Sequence, residues 1–221
     1  SADSDTGARR SRWVAVQTTI PTPPQGLTYV QYAGGEFHTA ALRSDGAAIC
    51  WGRNDYGQCG APRLPAGSSY GQLAAGQFHT AARRGDGGVV AWGDTSEGQC
   101  TVPPTPFKQV SADTGFCLGL RADGMIVGWG DNFSGQLNVP PLFGGLRYLE
   151  VSAGGDFGVA RRSDGALVAW GYENFVRPMP TCVQLSAGLG HTVVRHSWGG
   201  IEEIGAGYQA PQLPSGLRCL E

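Results

Sequence analysis

A Trp-Gly pair recurs along this chain at nearly constant spacing and sets the period of the whole sequence. The pairs begin at Trp51, Trp92, Trp129 and Trp170, in steps of roughly 40 residues. Around each pair the same order recurs: an Ala-Gly turn, a short apolar run, an Asp-Gly pair and a second apolar run. This period is typical of a β-propeller. One unit cannot bury its own apolar face, so its neighbours must supply the core and function is left to the loops.

Two weaker copies extend the set to six units. The run from Ser186 to Thr192 begins one of them, and Ser1-Ala2-Asp3 resembles Ser152-Ala153-Gly154. The final segment, 217–221, is similar to 146–150, which leads into a first strand. We therefore expect an all-β fold, a six-bladed β-propeller with blades of about four antiparallel strands. Its ring would be closed by pairing of the N- and C-terminal segments, which removes exposed sheet edges.

The repeat boundaries follow from this spacing. We expect one domain, 1–221, with repeats at approximately 1–26, 27–70, 71–107, 108–146, 147–181 and 182–221. Gly makes up 36 of the 221 residues, as expected where each unit needs several tight turns. The six cysteines are too few for a disulfide framework, and we expect buried free thiols.

Composition and charge also limit which kinds of partner are expected. The net charge of −2 gives no electrostatic reason to expect nucleic acid, and no apolar run reaches the ~18 residues of a membrane span. The chain begins at Ser1 rather than Met. We take this as favouring an organellar or exported mature chain over a cytoplasmic one.

Strand alternation sorts the connections onto two faces. The Ala-Gly turns and the loops from Trp-Gly to Gly-Gln should lie at one end of every blade, here called the loop face. The Asp-Gly hairpins and Pro-rich crossings should lie at the other, the hairpin face. One Arg precedes each hairpin, at Arg43, Arg84, Arg121 and Arg162. We expect each Arg to pair with the Asp two residues on; a second interface on this face is the alternative.

The loop face collects most of the carboxylates and aromatic side chains. Phe37, Phe78, Phe116 and Phe157 are assigned to one repeat position and are expected in the core. Tyr56, Phe133 and Phe175 instead fall in the middle of variable loops, where aromatic side chains favour a recognition surface. The predicted protein-binding residues on this face are Tyr56, Asp55, Glu97, Phe133, Asn174 and Phe175.

No catalytic or metal-binding motif is present in the sequence. His38, His79 and His191 are aligned at one repeat position, with Cys117 and Gly158 as substitutes. Hydrogen bonding of these histidines to backbone is expected rather than a shared metal. We predict a protein that is not an enzyme, with no catalytic residues, no metal and no cofactor.

The repeated unit resembles the regulator-of-chromosome-condensation repeat. It runs from Ala33-Gly34 through Asp45-Gly46 and Trp51-Gly52 to Gly57-Gln58, and the ending Gly98–Pro104 is more similar to the branch that contains β-lactamase inhibitory protein II. The resemblance implies a propeller whose loop face binds protein. We expect a non-catalytic interaction propeller, an accessory or peripheral subunit of a larger assembly. The alternatives are a secreted enzyme inhibitor similar to that branch, and a lectin-like or other small-ligand-binding propeller.

Overall fold

Five antiparallel sheets follow one another along the chain. The computed structural model describes residues 20–205, where it has sixteen strands and no helix. The expectations for Ser1–Asp3, Cys219 and the closing segment 217–221 lie outside the described residues.

Each of the first three sheets consists of three consecutive strands. Sheet I contains β1 (Tyr29–Gly34), β2 (His38–Arg43) and β3 (Ala48–Gly52). Sheet II contains β4 (Tyr70–Ala75), β5 (His79–Arg84) and β6 (Val89–Gly93). Sheet III contains β7 (Gln109–Asp113), β8 (Phe116–Leu120) and β9 (Ile126–Gly130).

The last two described sheets differ in strand number. Sheet IV contains β10 (Tyr148–Gly154), β11 (Phe157–Arg162), β12 (Ala166–Gly171) and β13 (Phe175–Pro178). Sheet V contains β14 (Cys182–Ala187), β15 (His191–His196) and β16 (Ile201–Gly205). The all-β assignment is thus confirmed, whereas the six-blade count and the ring closure are not established by the described part of the chain.

The expected sorting of connections onto two faces is confirmed. In sheet I the Gly35 N–H bonds to the His38 carbonyl, so Glu36 and Phe37 form the tip of the first turn. His38 also pairs with Gly52 at the end of β3, which places the following loop at the same end. The second turn carries Asp45-Gly46 at the opposite end, where a φ of 82° at Gly46 requires a residue without a Cβ.

The expected fourth strand is wrong for sheets I to III. In sheet I the segment after Gly57-Gln58 does not pair with β3. Its Ala61 and Leu64 instead pack into the core with Leu73 and Trp92 of sheet II. Among sheets I to IV, only sheet IV has a fourth strand, because the chain there lacks Gly-Gln and continues from Phe175 into pairing with Ala169. The corresponding position of sheet V lies outside the described residues.

The first strands of neighbouring sheets are joined by a reciprocal side-chain interaction, here called the glutamine clamp. The Gln31 amide donates to the Leu73 carbonyl at 2.9 Å and accepts from the Leu73 N–H at 2.9 Å. Gln72 binds both backbone groups of Val110 in the same way, and Gln109 binds those of Val151. The clamp therefore joins sheets I to IV in sequence.

The repeated Trp residues pack between sheets, as the sequence predicts. Trp92 and Trp129 are buried, and each indole N–H donates to a carbonyl of the preceding sheet's Gly-Gln loop. The acceptors are Gln58 at 2.9 Å and Gln99 at 3.0 Å. Each Trp thus combines apolar burial with a satisfied donor.

The alignment of the repeated histidines is off by one residue in two sheets. His38 and His79 pair with the glycines that end β3 and β6, and in sheets III and IV the residues so placed are Phe116 and Phe157. Cys117 and Gly158 therefore occupy the Thr position. Phe37 and Phe78 lie one residue earlier, at turn tips, and are only half-buried, whereas Phe116 and Phe157 are buried. The core assignment is thus confirmed for the latter two only.

His38 and His79 bond to side chains of the next sheet, which corrects the expected backbone partners for these two histidines. Thr80 Oγ1 donates to the Gln58 carbonyl, so His38 Nε2–H must be the donor in its 2.8 Å contact with that hydroxyl. His79 Nε2 meets Cys117 Sγ at 3.2 Å. The Nδ1 atoms of both rings are buried and lack a partner in the described part of the chain.

The cysteines of residues 20–205 form no disulfide. Cys117 and Cys182 are buried, and Cys50, Cys59 and Cys100 are half-buried. Burial raises the pKa of Cys50 to about 12. The expected free thiols are confirmed for these five; burial is complete for two.

Acid should weaken the packing of sheets I, II and III through His38 and His79. Burial lowers the pKa of His38 and of His79 from 6.5 to about 4. The unfolded chain therefore binds more protons than the folded one between these values, so this stabilisation is present above pH 6.5 and is lost as the pH falls to about 4. NMR titration of the imidazole rings should give midpoints near 4 for both histidines. Midpoints near 6.5 would contradict the burial of His38 and His79 as neutral imidazoles.

Removing a repeated indole should strongly destabilise the protein. Trp92→Ala or Trp129→Ala should each lower the free energy of unfolding by roughly 3–5 kcal/mol, because a large aromatic leaves a cavity and Gln58 or Gln99 loses its donor. Urea denaturation measures this change. Trp198 is exposed, so Trp198→Ala is the matched control. Losses within ~0.5 kcal/mol for both buried positions would exclude their packing role.

Candidate functional site

The loops of the loop face are held in place by their own hydrogen bonds. In sheet II, Asp94 accepts the Ser96 N–H at 3.1 Å and the Gln99 amide at 3.1 Å, and Gln99 in turn accepts the Glu97 N–H at 2.9 Å. Asp131 and Gln136 repeat this arrangement in sheet III. The loop backbone is therefore fixed while the residues at its tips vary.

A groove lies across three successive loops of this face. It has a volume of about 460 Å³ and receives residues from sheets I, II and III. Its lining includes Tyr56, Phe78, Asp94, Glu97, Asp131 and Phe133. Phe133 is 95% exposed and Tyr56 is 47% exposed. Because both aromatic rings border one groove, they form a continuous candidate contact surface.

An arginine packs among aromatic rings beside this groove. The Arg53 guanidinium lies 5.3 Å from the ring centres of Phe37 and Phe78 and 5.9 Å from that of Tyr56. Tyr56 and Phe78 are themselves 4.8 Å apart. Arg53 also pairs with Asp55 at 2.6 Å. These contacts orient Tyr56. They also engage the Arg53 guanidinium with neighbouring rings and with Asp55.

Carboxylates outnumber cations on the described loop face. They are Glu36, Asp55, Asp94, Glu97, Asp113, Asp131, Asp156 and Glu173. Burial raises the pKa of Asp113, against the lowering effect of the Thr114 N–H and hydroxyl. Asp94 and Asp131 accept hydrogen bonds from their own loops. Glu97 is the third carboxylate of the groove, and its side chain makes no hydrogen bond to any described residue.

The structure brings together only some of the predicted binding residues. Tyr56, Glu97 and Phe133 line the same groove. Asp55 is exposed nearby and pairs with Arg53, and Asn174 is exposed in sheet IV but does not line the groove. Phe175 begins β13 and packs against the core of sheets IV and V. The prediction that Phe175 lies at a loop tip is therefore wrong.

Sequence reasoning overlooked other exposed apolar residues on this face. Tyr172 is 80% exposed directly after the Trp-Gly pair of sheet IV, and Leu189 is exposed at the first turn of sheet V. The absence of Gly-Gln after Trp170-Gly171 is the sequence feature that could have indicated a different loop in sheet IV. Without that turn the chain re-enters the sheet at once, which leaves Tyr172 rather than Phe175 at the surface.

The hairpin face has the expected Arg–Asp pairs. Arg43–Asp45, Arg84–Asp86, Arg121–Asp123 and Arg162–Asp164 are 2.7, 3.1, 2.7 and 2.8 Å apart. The hydrogen bond from Arg43 lowers the pKa of Asp45 to about 2. Exposed pairs of this kind contribute only ~0–1 kcal/mol, and they neutralise the ring of arginines.

Comparison with known proteins identifies the repeat. The regulator of chromosome condensation (RCC1) repeat matches residues 30–58 and 72–99, which correspond to sheets I and II with their loops. These two segments are therefore RCC1-type repeats. A segment of 37 residues, 17% of the chain, is 46% identical to the X-linked retinitis pigmentosa GTPase regulator homolog of Caenorhabditis elegans, and covers 3% of that protein.

Solved structures show the same fold over most of the chain. The ectodomain of the Physcomitrella patens receptor kinase CR4 matches 89% of this chain with a TM-score of 0.72 at 24% identity. Yeast RCC1 (Prp20), solved with Kap60, matches 83% with a TM-score of 0.67 at 21% identity. This chain spans 56% and 58% of those two chains. These likenesses establish an RCC1-like propeller fold, and they do not test the finer similarity to the inhibitor branch, which stays a prediction.

Residues 20–205 also bear on metal binding and membrane insertion. These residues contain no group of three or more His, Cys, Asp or Glu side chains placed to hold a metal ion. Nor do they contain a helix with the length and apolar character needed to cross a bilayer.

Proposed function

We propose that this chain is a non-catalytic propeller that binds a partner protein through its loop face. The observation that carries this proposal is the groove between Tyr56 and Phe133, built from three loops whose backbones are fixed by internal hydrogen bonds. A rigid frame with exposed aromatic tips suits protein recognition, because little conformational freedom is lost on binding.

The groove is better suited to recognition than to catalysis. Asp94 and Asp131 accept hydrogen bonds from their own loops, so their oxygens are committed to loop structure. The structure of yeast RCC1 was solved bound to Kap60, and another report on Prp20p describes its binding to Gsp1p and histones. Those partners belong to the yeast protein; they support protein binding here as a general role.

Docking by one face favours an accessory or peripheral subunit of a larger assembly. The four arginines before the hairpins are neutralised by their aspartates, whereas the loop face keeps an excess of carboxylates and two exposed aromatic rings. A photo-crosslinking residue at position 133 should therefore capture the partner from native extract. The same residue at position 125, which is exposed beside an Asp-Gly hairpin, should not.

Truncating the groove aromatics should weaken binding without unfolding the protein. Tyr56→Ala and Phe133→Ala should each cost about 2 kcal/mol or more in affinity for the captured partner, since interface energy concentrates in such anchors. Isothermal titration calorimetry measures the affinity, with the melting temperature as the folding control. Met125→Ala and Arg162→Glu serve as hairpin-face controls. Silent aromatic changes combined with a loss of binding in Arg162→Glu would move the interface to the hairpin face.

Substitution of Phe175 tests whether this side chain serves packing or partner recognition. Its partial burial against the core predicts that Phe175→Ala lowers the melting temperature, unlike Phe133→Ala. If Phe175→Ala leaves the stability unchanged and weakens partner binding, Phe175 belongs to the interface instead.

We also propose that a sixth unit, formed by the N-terminal segment with residues 217–221, closes the ring. Gln184 occupies the clamp position in sheet V, and within residues 20–205 its side chain bonds only to Arg195. If the ring closes, Gln184 should clamp the next first strand.

Paired substitutions test this closure. Gln184→Ala should then destabilise the protein about as much as Gln72→Ala, because each leaves backbone groups of a neighbouring strand unpaired, at a cost of about 1–3 kcal/mol. Deletion of residues 217–221 should also expose a strand edge and promote association. Urea denaturation and light scattering measure the two effects. A harmless Gln184→Ala together with a monomeric truncated chain of unchanged stability would exclude closure.

A further inference from the structure

A basic groove lies at the hairpin end of the first strands, opposite the candidate protein-binding groove. Its volume is about 490 Å³, and it is lined by residues of sheets II to V, among them Gly71, Arg83, Lys108, Glu150, Arg161 and Val183. The adjacent first strands of the sheets place these residues around one opening.

Positive charge in this groove is not balanced within the described chain. Glu150 is the carboxylate among its lining residues. One of its oxygens lies 3.5 Å from Arg161 Nε, and the other accepts the Leu185 N–H at 3.2 Å. Arg83 and Lys108 have no ion pair with any residue of the described part. The groove therefore has more guanidinium and ammonium charge than its own carboxylate can neutralise.

Arg83 has unused hydrogen-bonding capacity. Its Nε is buried and lacks a partner in residues 20–205, and its Nη1 reaches only the Arg84 carbonyl at 3.3 Å. A buried donor of a charged group without a partner is costly. An arriving anion would satisfy it, and the planar fork of a guanidinium suits bidentate contact with phosphate oxygens.

Gly71 leaves room for such a ligand. The equivalent residue is Val30 in sheet I, Leu149 in sheet IV and Val183 in sheet V, each directly preceding the clamp residue. A Cβ at Gly71 would lie 3.4 Å from Arg83 Nη2. A side chain there would therefore occupy the space in front of the guanidinium.

We propose that this groove binds a small organic phosphate or polyphosphate, held by Arg83, Lys108 and Arg161. Its volume falls within the ~300–1,000 Å³ of small-molecule sites. Half-exposed Leu149 and Val183 border the cations and would contact the apolar part of such a ligand. The proposal does not depend on protein binding at the loop face.

Inorganic pyrophosphate is the probe for this site. Isothermal titration calorimetry on the full chain should show saturable binding that weakens with added salt. Arg83→Gln, and separately Lys108→Gln, should reduce the affinity roughly tenfold, the usual effect of removing one charge-assisted contact. Gly71→Val should reduce it similarly while all charges remain.

Arg84→Gln is the matched control. Arg84 adjoins Arg83 on β5, projects to the other side of the sheet and pairs with Asp86, so its loss should leave the affinity within about twofold. Lys108 is exposed and donates no side-chain hydrogen bond in the described part, so Lys108→Gln keeps the test valid if Arg83→Gln unfolds. The absence of binding by the wild-type chain, or an equal loss in Arg84→Gln, would overturn the site. Equal affinity for citrate with the same residue dependence would overturn its assignment to phosphates.

Discussion

The glutamine clamp is the interaction on which the arrangement of the sheets depends. Apolar packing between sheets is non-directional and would tolerate sliding of one sheet along the next. The clamp prevents this, because an amide that both donates to and accepts from one residue fits a single register. Gln31, Gln72 and Gln109 each satisfy two backbone groups of the next first strand. In sheet IV the acidic Glu150 accepts the Leu185 N–H but cannot donate, and Arg161 contacts its other oxygen.

The Gly-Gln loops that follow sheets I to III reinforce this register. A carbonyl of one sheet's Gly-Gln loop receives the indole N–H of the next sheet's Trp, as Gln58 does from Trp92. The same Gln side chain accepts an N–H from within its own loop. One short motif therefore sets the loop's shape and attaches it to the neighbouring sheet. Tyr56 and Phe133 take part in these loop bonds only through their backbone N–H groups, so their side chains can vary on a constant frame.

The sequence predicts best what every repeat must have. The strands around Asp45-Gly46, the burial of Trp92 and the sorting of the two faces follow from turn chemistry and period, and the structure agrees. The errors arise where one repeat departs from the others. Phe37-His38 and Phe116-Cys117 look equivalent in the sequence, yet pairing with Gly130 places Phe116 at the His position. A one-residue shift reverses which face a strand side chain points to, so a Phe at a turn tip and a Phe in the core could not be separated by spacing alone.

The two ends of the first strands have different electrostatic character, and both follow from how charges are used within the fold. At the loop face, Asp94 and Asp131 accept hydrogen bonds from neutral groups of their own loops and keep their negative charge, so the groove combines exposed rings with an excess of carboxylates. At the hairpin end, the outer arginines are neutralised by aspartates two residues away, whereas Arg83 faces inward and has no such Asp. Cations from sheets II, III and IV therefore meet at one opening. A ligand held there would bridge three sheets that the clamp already aligns, so its binding would stabilise the folded chain by mass action without requiring movement at the loop face.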